Sequence, residues 1–353
     1  MRALYKKNSP PESAFIVTGG QVLAYFGTGD EFYFPGDNII VGTVEHFIEQ
    51  LTGERYLRQF GLSVSDSAKC KVLSFDTVDE MMKDFKFGAN SNIFISRLIE
   101  YCTAKLIEKS KVPLGFLRKY QRRAGAYAQT VDLLFDIGLR TGNKLVLDFV
   151  ETKKKSEFYK DGTLNIHYTP IEAIPSPAKD RSDFIKLYKQ NSLLCHEGSV
   201  GRELFILLDG SINVTFKNQL VAKIATPGEA FGEMSLFLNK KRTASLVADR
   251  DSHVYVVPYS DLSDFSRQKC PDLFLKLAQG LSKRLVETIE RLHRINHLLG
   301  KAETVNDHKS IQEDLYESID KQLKVLLGEI VGLSRQVDPE ISRLLAPIIK
   351  TRL

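Results

Sequence analysis

The stretch that most limits what this chain can fold into runs from Thr226 to Ala248, TPGEAFGEMSLFLNKKRTASLVA, where close-approach glycines, a carboxylate and an arginine meet around one short turn. Pro227-Gly228 signals that turn. Phe231-Gly232-Glu233 is followed by Met234-Ser235-Leu236-Phe237-Leu238, enough for one or two helical turns, which places Gly232 at a helix N-terminus. The first N–H groups of a helix lack intrahelical partners, and a residue without Cβ lets an anion come close to them. Arg242 lies nine residues past Glu233. Its planar, permanently charged fork suits two phosphate oxygens, whereas an ionised Glu233 only accepts and suits a hydroxyl pair such as a ribose.

The chain has room for more than this turn, because 353 residues allow two or three domains, each with its own core. Hydrophobic residues at 43% and charged residues at 26% are ordinary for a soluble globular protein. No apolar run reaches membrane-spanning length, and no signal-peptide pattern opens the chain. Cys70, Cys102, Cys195 and Cys270 are scattered and form no CxxC, which fits reduced thiols and a cytoplasmic protein. A net charge of +5 is too small at this size to imply nucleic acid by itself.

The N-terminal part reads as an internal repeat of the C-terminal one. FIVTGGQV (Phe15 to Val22) parallels FILLDGSI (Phe205 to Ile212), and Pro35-Gly36-Asp37 parallels Pro227-Gly228-Glu229. Phe60 to Phe85 follows the course of ASLVADRDSHVYVVPYSDLSDF. Gly42-Thr43 stands where the later copy has Gly232-Glu233, and the nearest arginine, Arg58, is farther along. Threonine supplies no carboxylate, so Glu45 or Glu54 is the candidate substitute. The reading favoured for this copy is a degenerate one that is structural or binds something else.

The pattern from His196 to about Phe265, with its lead-in HEGSVGRELFILLDGSINV and RTAS at Arg242 to Ser245, resembles the cyclic nucleotide-binding domain of the catabolite activator protein, protein kinase A regulatory subunits and cyclic-nucleotide-gated channels. The resemblance implies an α+β protein with two β-roll (jelly-roll) domains joined and followed by helices. It further implies that Arg242 pairs with the cyclic phosphate, that Glu233 holds the ribose 2′-hydroxyl, and that the backbone near Gly232 and Ala244 completes the cradle. Phe231, Met234, Ser235 and Thr243 complete the expected ligand-binding set. Thr243 accompanies guanine binding in some relatives and not in others, so cAMP and cGMP both remain open as the ligand. In the first copy Phe60 takes the place of the family's small residue beside the phosphate.

The expected organisation is a degenerate roll at 1–88, a helical connector at 89–160, a linker at 161–180, a roll with its lid helix at 181–300 and a helical tail at 301–353. Ser91 to Phe149 has helical spacing, and Lys105 to Arg123 is basic, with Phe116 and Tyr120 interleaved, which reads as a solvated helix face. Arg122-Arg123-Ala124-Gly125 faintly resembles a kinase pseudosubstrate. Gly162 to Lys179 has three prolines and no period, as a linker does, and Ser182 to Lys189 reads as a short entry helix. Phe274, Leu277, Leu281, Leu285, Leu292, Ile295 and Leu299 form the stripe of a long helix starting near Pro271, interrupted at Thr288. A second stripe, Leu315 to Leu333, runs until Asp338-Pro339. These stripes point to a homodimer or a docking surface, with a bundle inside one chain as the alternative. His293 and His297 lie four apart with no third ligand nearby, so no metal is expected.

No Walker loop, HExxH or GxSxG motif is present, which argues against an enzyme. The favoured reading is a cyclic-nucleotide receptor that signals to a protein effector. The alternative is a cyclic-nucleotide-responsive DNA-binding regulator, although the hairpin of a winged helix-turn-helix is missing from the sequence.

Overall fold

The computed structural model describes residues 1–27, 29–110, 117–163, 184–216, 219–306 and 309–350. It is an α+β fold in two compact units, the first made of residues 1–104 and 167–289 and the second of 105–166 and 290–353. The expected linker over 161–180 lies mostly outside the described residues.

The first unit holds two antiparallel rolls. The first roll comprises β1 (Arg2–Tyr5), β2 (Ala14–Tyr25), β3 (Glu31–Val41), α1 (Val44–Thr52), β4 (Gly61–Val64), β5 (Lys69–Leu73) and α2 (Phe75–Met81). Strand β2 is long enough to pair with β3, β4 and β5. The second roll comprises β6 (Ile185–Tyr188), β7 (Leu193–Cys195), β8 (Glu203–Asp209), β9 (Ile212–Phe216), β10 (Gln219–Ile224), β11 (Ala230–Phe231), α7 (Glu233–Leu238), β12 (Ser245–Ala248), β13 (Ser252–Pro258) and α8 (Leu262–Gln268). Its strands form two sheets in the orders β10-β9-β12-β7 and β11-β8-β13-β6. The helix expected over Ser182 to Lys189 is not formed where the segment is described. Ile185–Tyr188 is strand β6, pairing with Tyr255–Ser252 of β13, and that sheet edge outweighs a weak local helical pattern.

Strand registers coincide between the rolls. Phe15 pairs with Val41 as Phe205 pairs with Phe231, and Ile16 with Ile40 as Ile206 with Ala230. Leu62 pairs with Ala24 as Leu246 with Val214, and Val72 with Phe15 as Val256 with Phe205. The register also corrects the alignment of the turn. Phe34 pairs with Val22 as Ile224 does with Ile212, so Pro35-Gly36-Asp37 falls two residues ahead of Pro227-Gly228-Glu229. The counterpart of Gly228 is Asn38, and both take positive φ, at 87° and 53°. Ile39 stands for Glu229.

Helix α3 (Phe85–Ser110) follows the first roll, and α9 (Leu273–Asn306) follows the second. Within the first unit their apolar faces share one core: Phe94, Ile95 and Leu98 of α3 and Phe274, Leu277, Leu281 and Leu285 of α9 are buried with residues of both rolls. Phe85 meets Phe274 edge-on at 5.5 Å, and the Asn92 amide donates to the Phe274 carbonyl at 3.0 Å.

The second unit is helical, built from α4 (Leu117–Thr141), α5 (Lys144–Lys154), α6 (Glu157–Gly162), α10 (Lys309–Ser334), α11 (Pro339–Lys350) and the distal turns of α9. Asn143 and Ser156 cap α5 and α6 with their side-chain oxygens, and Asp338 accepts from the Glu340 and Ile341 amides at the start of α11. The expected dimer seam is consumed here. Leu323, Leu326, Ile330 and Leu333 of α10 pack with Tyr127, Val131, Leu134 and Ile137 of α4, so the stripe closes a bundle within one chain. Leu292, Ile295 and Leu298 of α9 join Leu106, Tyr120, Ala124 and Ile319 in a smaller cluster.

The basic stretch is also not a plain solvated face. Tyr120 is buried and donates to Asp161 at 2.7 Å, while Phe116 lies outside the described residues. Arg122 to Gly125 lies inside α4 with Ala124 fully buried, whereas a pseudosubstrate needs an accessible extended strand. His293 and His297 sit on α9, and no group of three or more metal-ligating side chains occurs among the described residues.

Candidate functional site

Gly232 precedes α7 with φ 82°, and a Cβ on it would strike Arg242 Nη1 and come within 2.9 Å of the Phe205 ring. Only glycine takes this turn against so close a guanidinium without strain. Arg242 is 4% exposed, and its two terminal nitrogens are fully organised. Nη1 donates to the Gly232 carbonyl and to Ser235 Oγ, both at 2.8 Å. Nη2 donates to the Glu203 carbonyl at 2.9 Å and to its carboxylate at 3.1 Å. The guanidinium lies 4.9 Å from the centroid of Phe205, which stacks in turn on Phe231 at 5.3 Å. Arg242 Nε is buried without a hydrogen-bond partner, so the cation keeps a donor for a further acceptor. Its acidic partner is half-exposed: the Glu203 side chain retains 42% of its surface. A buried cation with one loosely held acid is suited to an incoming anion.

Glu233 is 1% exposed, and its Oε1 accepts from Arg284 Nη1 of α9 at 2.5 Å. Helix α9 therefore reaches the turn through an ion pair. Thr288, the break in the apolar stripe, lies one turn on and donates to the Arg284 carbonyl at 2.7 Å, so the polar interruption sits where α9 passes this turn. A second carboxylate stands beside the pair. Glu229 is 2% exposed, its Oε2 accepts from the Thr226 amide at 3.4 Å, and its Oε1 has no hydrogen-bond partner. Burial pushes this carboxyl up to about 8, against the pull of the Thr226 amide and the Arg284 charge.

The structure brings Phe231, Gly232, Ser235 and Arg242 into one cluster, with Glu233 turned to Arg284. Met234 is half-buried against the shared core, Ala244 is half-buried against the roll interior, and Thr243 is exposed. Four contributors escape a sequence reading: Glu203, Glu229, Arg284 and Gly201. Gly201 abuts the cluster, since a Cβ on it would strike Ser235 Oγ and lie 2.5 Å from Arg242 Nε. Glu203 lies inside the glycine-punctuated lead-in, and Arg284 lies three residues after Leu281 on the buried face of α9, where a cation needs a partner.

In the first roll Arg58 takes the place of Arg242 and Phe60 that of Ala244, as the matched β4 and β12 registers require. Glu54 is exposed, and Glu45 is fully buried against Arg58 at 2.8 Å, so neither offers a carboxylate to a ribose.

The second roll is thus an antiparallel β-roll with a buried arginine held at a glycine turn and a following helix tied to the same turn. Residues 185–269 match the family model of the cyclic nucleotide-binding domain. The chain is similar to the cAMP-activated global transcriptional regulator CRP of Pasteurella multocida, 26% identical over 172 residues, or 46% of this chain and 82% of that protein. It is likewise similar to the potassium/sodium hyperpolarization-activated cyclic nucleotide-gated channel 2 of Mus musculus, 25% identical over 155 residues, or 43% of this chain. The chain spans only 16% of that channel's length. Among solved structures, one described as cAMP-bound PfPKA-R (141-441) aligns over 91% of this chain and 77% of its own, at 14% identity and a TM-score of 0.24.

Proposed function

We propose that the second roll binds a cyclic nucleotide, cAMP or cGMP, and that the chain is a non-catalytic cytoplasmic receptor that passes this binding to a protein effector. Arg242 pairs with the cyclic phosphate, the Gly232 and Ala244 backbone completes the cradle, and Glu233 faces the ribose 2′-hydroxyl. Phe231, Met234, Ser235 and Thr243 line the remainder. The observation that carries this reading is the buried Arg242 guanidinium, held by Gly232 and Ser235 inside a segment that matches the family model. The Arg284–Glu233 pair supplies a route for the signal, because a ligand engaging Glu233 acts on the same carboxylate that anchors α9. Titration of a fluorescent cyclic nucleotide into wild type and Arg242→Leu tests the site: saturable binding lost in a folded variant is expected, and unchanged affinity rejects it.

The second reading, a DNA-binding regulator, draws on the likeness to CRP over 82% of that protein. Against it, no strand follows β13 among the described residues, and α10 and α11 spend their apolar faces on a bundle. Steeply salt-dependent retention on DNA would favour it.

A further inference from the structure

The two rolls hold their arginines in the same backbone frame but balance the charge differently. Arg58 Nη1 donates to the Gly42 carbonyl at 2.8 Å, as Arg242 Nη1 does to that of Gly232. Arg58 Nη2 donates to the Ser13 carbonyl at 2.6 Å, as Arg242 Nη2 does to that of Glu203 at 2.9 Å. Gly42 and Gly232 share the left-handed turn, at φ 79° and 82°. Each guanidinium lies over an aromatic ring, Tyr5 at 4.2 Å and Phe205 at 4.9 Å. The Nε atoms are alike too, both buried without a partner.

The difference stands three residues past each glycine. The second roll has Ser235 there, a short hydroxyl that accepts from Arg242. The first has Glu45, whose Oε2 accepts from Arg58 Nη1 at 2.8 Å and whose Oε1 accepts from the Gln59 amide at 2.9 Å. Glu45 is 0% exposed and Arg58 1%, so the pair is sealed, in contrast to the half-exposed Glu203 beside Arg242. The carboxylate spreads one negative charge over two oxygens and takes one bond from the guanidinium and one from the backbone beside it. Those are the demands an exocyclic phosphate pair makes. Thr43, a buried hydroxyl where the second roll has the Glu233 carboxylate, and the buried Phe60 add no carboxylate and no space for a sugar.

We propose that the first roll is self-liganded: the Glu45 carboxylate occupies permanently the anion position that a ligand's phosphate shares with Arg242 in the second roll. The assignment rests on the proposed function for the meaning of that position. The first roll then completes its fold without nucleotide and gives α3, and through Asn92 and Phe85 the start of α9, a support that does not change with nucleotide level.

Thermal unfolding of the full chain tests this with Glu45→Ala and Glu45→Ala/Arg58→Met, each with and without tens of millimolar inorganic phosphate. Removing the internal anion strands a buried cation, and Glu45→Ala is expected to melt on the order of 10 °C below wild type. Added phosphate should then recover part of that loss by binding the folded form, to a degree seen in neither wild type nor the double variant. The double variant should melt above Glu45→Ala. A Glu45→Ala protein that melts with wild type, or phosphate shifts equal in all three, overturns the proposal. If Glu45→Ala does not fold, a double variant that folds upholds the charge-balance role, and one that also fails to fold overturns it in favour of packing. Phosphate and melting are read here rather than cyclic nucleotide, so failure of the second roll to bind nucleotide would appear separately, in the wild-type titration.

Discussion

Arg284 on α9 and Glu233 at the start of α7 form an ion pair at 2.5 Å with 8% and 2% of their side chains exposed, tying the lid helix to the candidate ligand turn. Breaking one side of a pair this deep leaves the other charge stranded, which typically costs about 3–5 kcal/mol. Arg284→Leu is therefore expected to lower chemical stability by that amount, and the added Glu233→Leu to restore much of it. Denaturant midpoints of the two variants and wild type decide. A near-neutral Arg284→Leu would mean that α9 is held by its apolar face alone.

The charge on Arg242 sets the second prediction. Truncating one partner of a buried charge pair costs roughly 2–5 kcal/mol, or on the order of 30-fold to several thousand-fold in affinity. Arg242→Leu should lose cyclic nucleotide binding by that factor. Lys240 is expected to matter little: it pairs with Glu100 at the surface, with 56% and 40% of the two side chains exposed, and such pairs contribute about 0–1 kcal/mol. Lys240→Ala should bind within threefold or so of wild type in the same titration, given that bound.

What the sequence made legible follows from locality. Gly232, Ser235 and Arg242 lie within one turn and its flanks, where glycine and arginine spacing reports geometry directly, and the structure gathers them. Glu203 and Arg284 reach the turn from a neighbouring strand and from a helix, and no local period marks such partners. The repeat is readable from its glycines, but its Pro-Gly pairs stand two residues out of register, because Asn38 supplies the positive φ that Gly228 supplies in the other roll. Glu45 was visible as a stray carboxylate. Only burial reveals it as the counter-ion of Arg58. The helical pattern of Ser182 to Lys189 does not decide Ile185–Tyr188, because a strand at a sheet edge takes its structure from the partner, here β13.

Glu229 predicts a pH dependence. Its carboxyl is raised by burial to about 8 in the folded chain and titrates near 4.5 when unfolded. Between those values the folded form holds a proton that the unfolded form has lost, so stability is present at low pH and declines as pH rises through the window. The slope contributed is at most about 1.4 kcal/mol per pH unit. Glu229→Gln, which keeps the shape without the titration, should flatten the curve and be more stable than wild type above pH 8 or so. Parallel curves for the two proteins would show that the carboxylate finds compensation on ionising.

Gly201 predicts a steric effect on the same cation. A Cβ there would meet Ser235 Oγ and lie 2.5 Å from Arg242 Nε, so the guanidinium must shift away from its frame. Gly201→Ala should destabilise by about 1–3 kcal/mol, the usual cost of overpacking. It should also weaken nucleotide binding, while Gly198→Ala, whose amide donates to the Arg242 carbonyl at 2.8 Å but whose Cβ meets nothing within 4 Å, should weaken binding less even though its φ of 80° costs some stability. Comparing melts and titrations for the two variants separates backbone strain from displacement of Arg242.

The last prediction contrasts two neighbours on α10. Leu326 is 1% exposed, in the cluster that α10 forms with α4, whereas Val325 is 45% exposed on the other side of the helix. An aspartate at a buried aliphatic position loses the leucine's burial, about 1.5–3 kcal/mol, and adds the larger cost of an unpaired buried charge. Leu326→Asp is therefore expected to unfold the helical unit, read as lost helical circular dichroism and new protease sensitivity between 105 and 163. Val325→Asp faces water and should stay within about 0.5 kcal/mol of wild type. Light scattering over a range of concentrations separates this from an assembly role. If the stripe served self-association, Leu326→Asp would yield a folded protein of lower mass, and that outcome would show that burial against α4 is not its principal task.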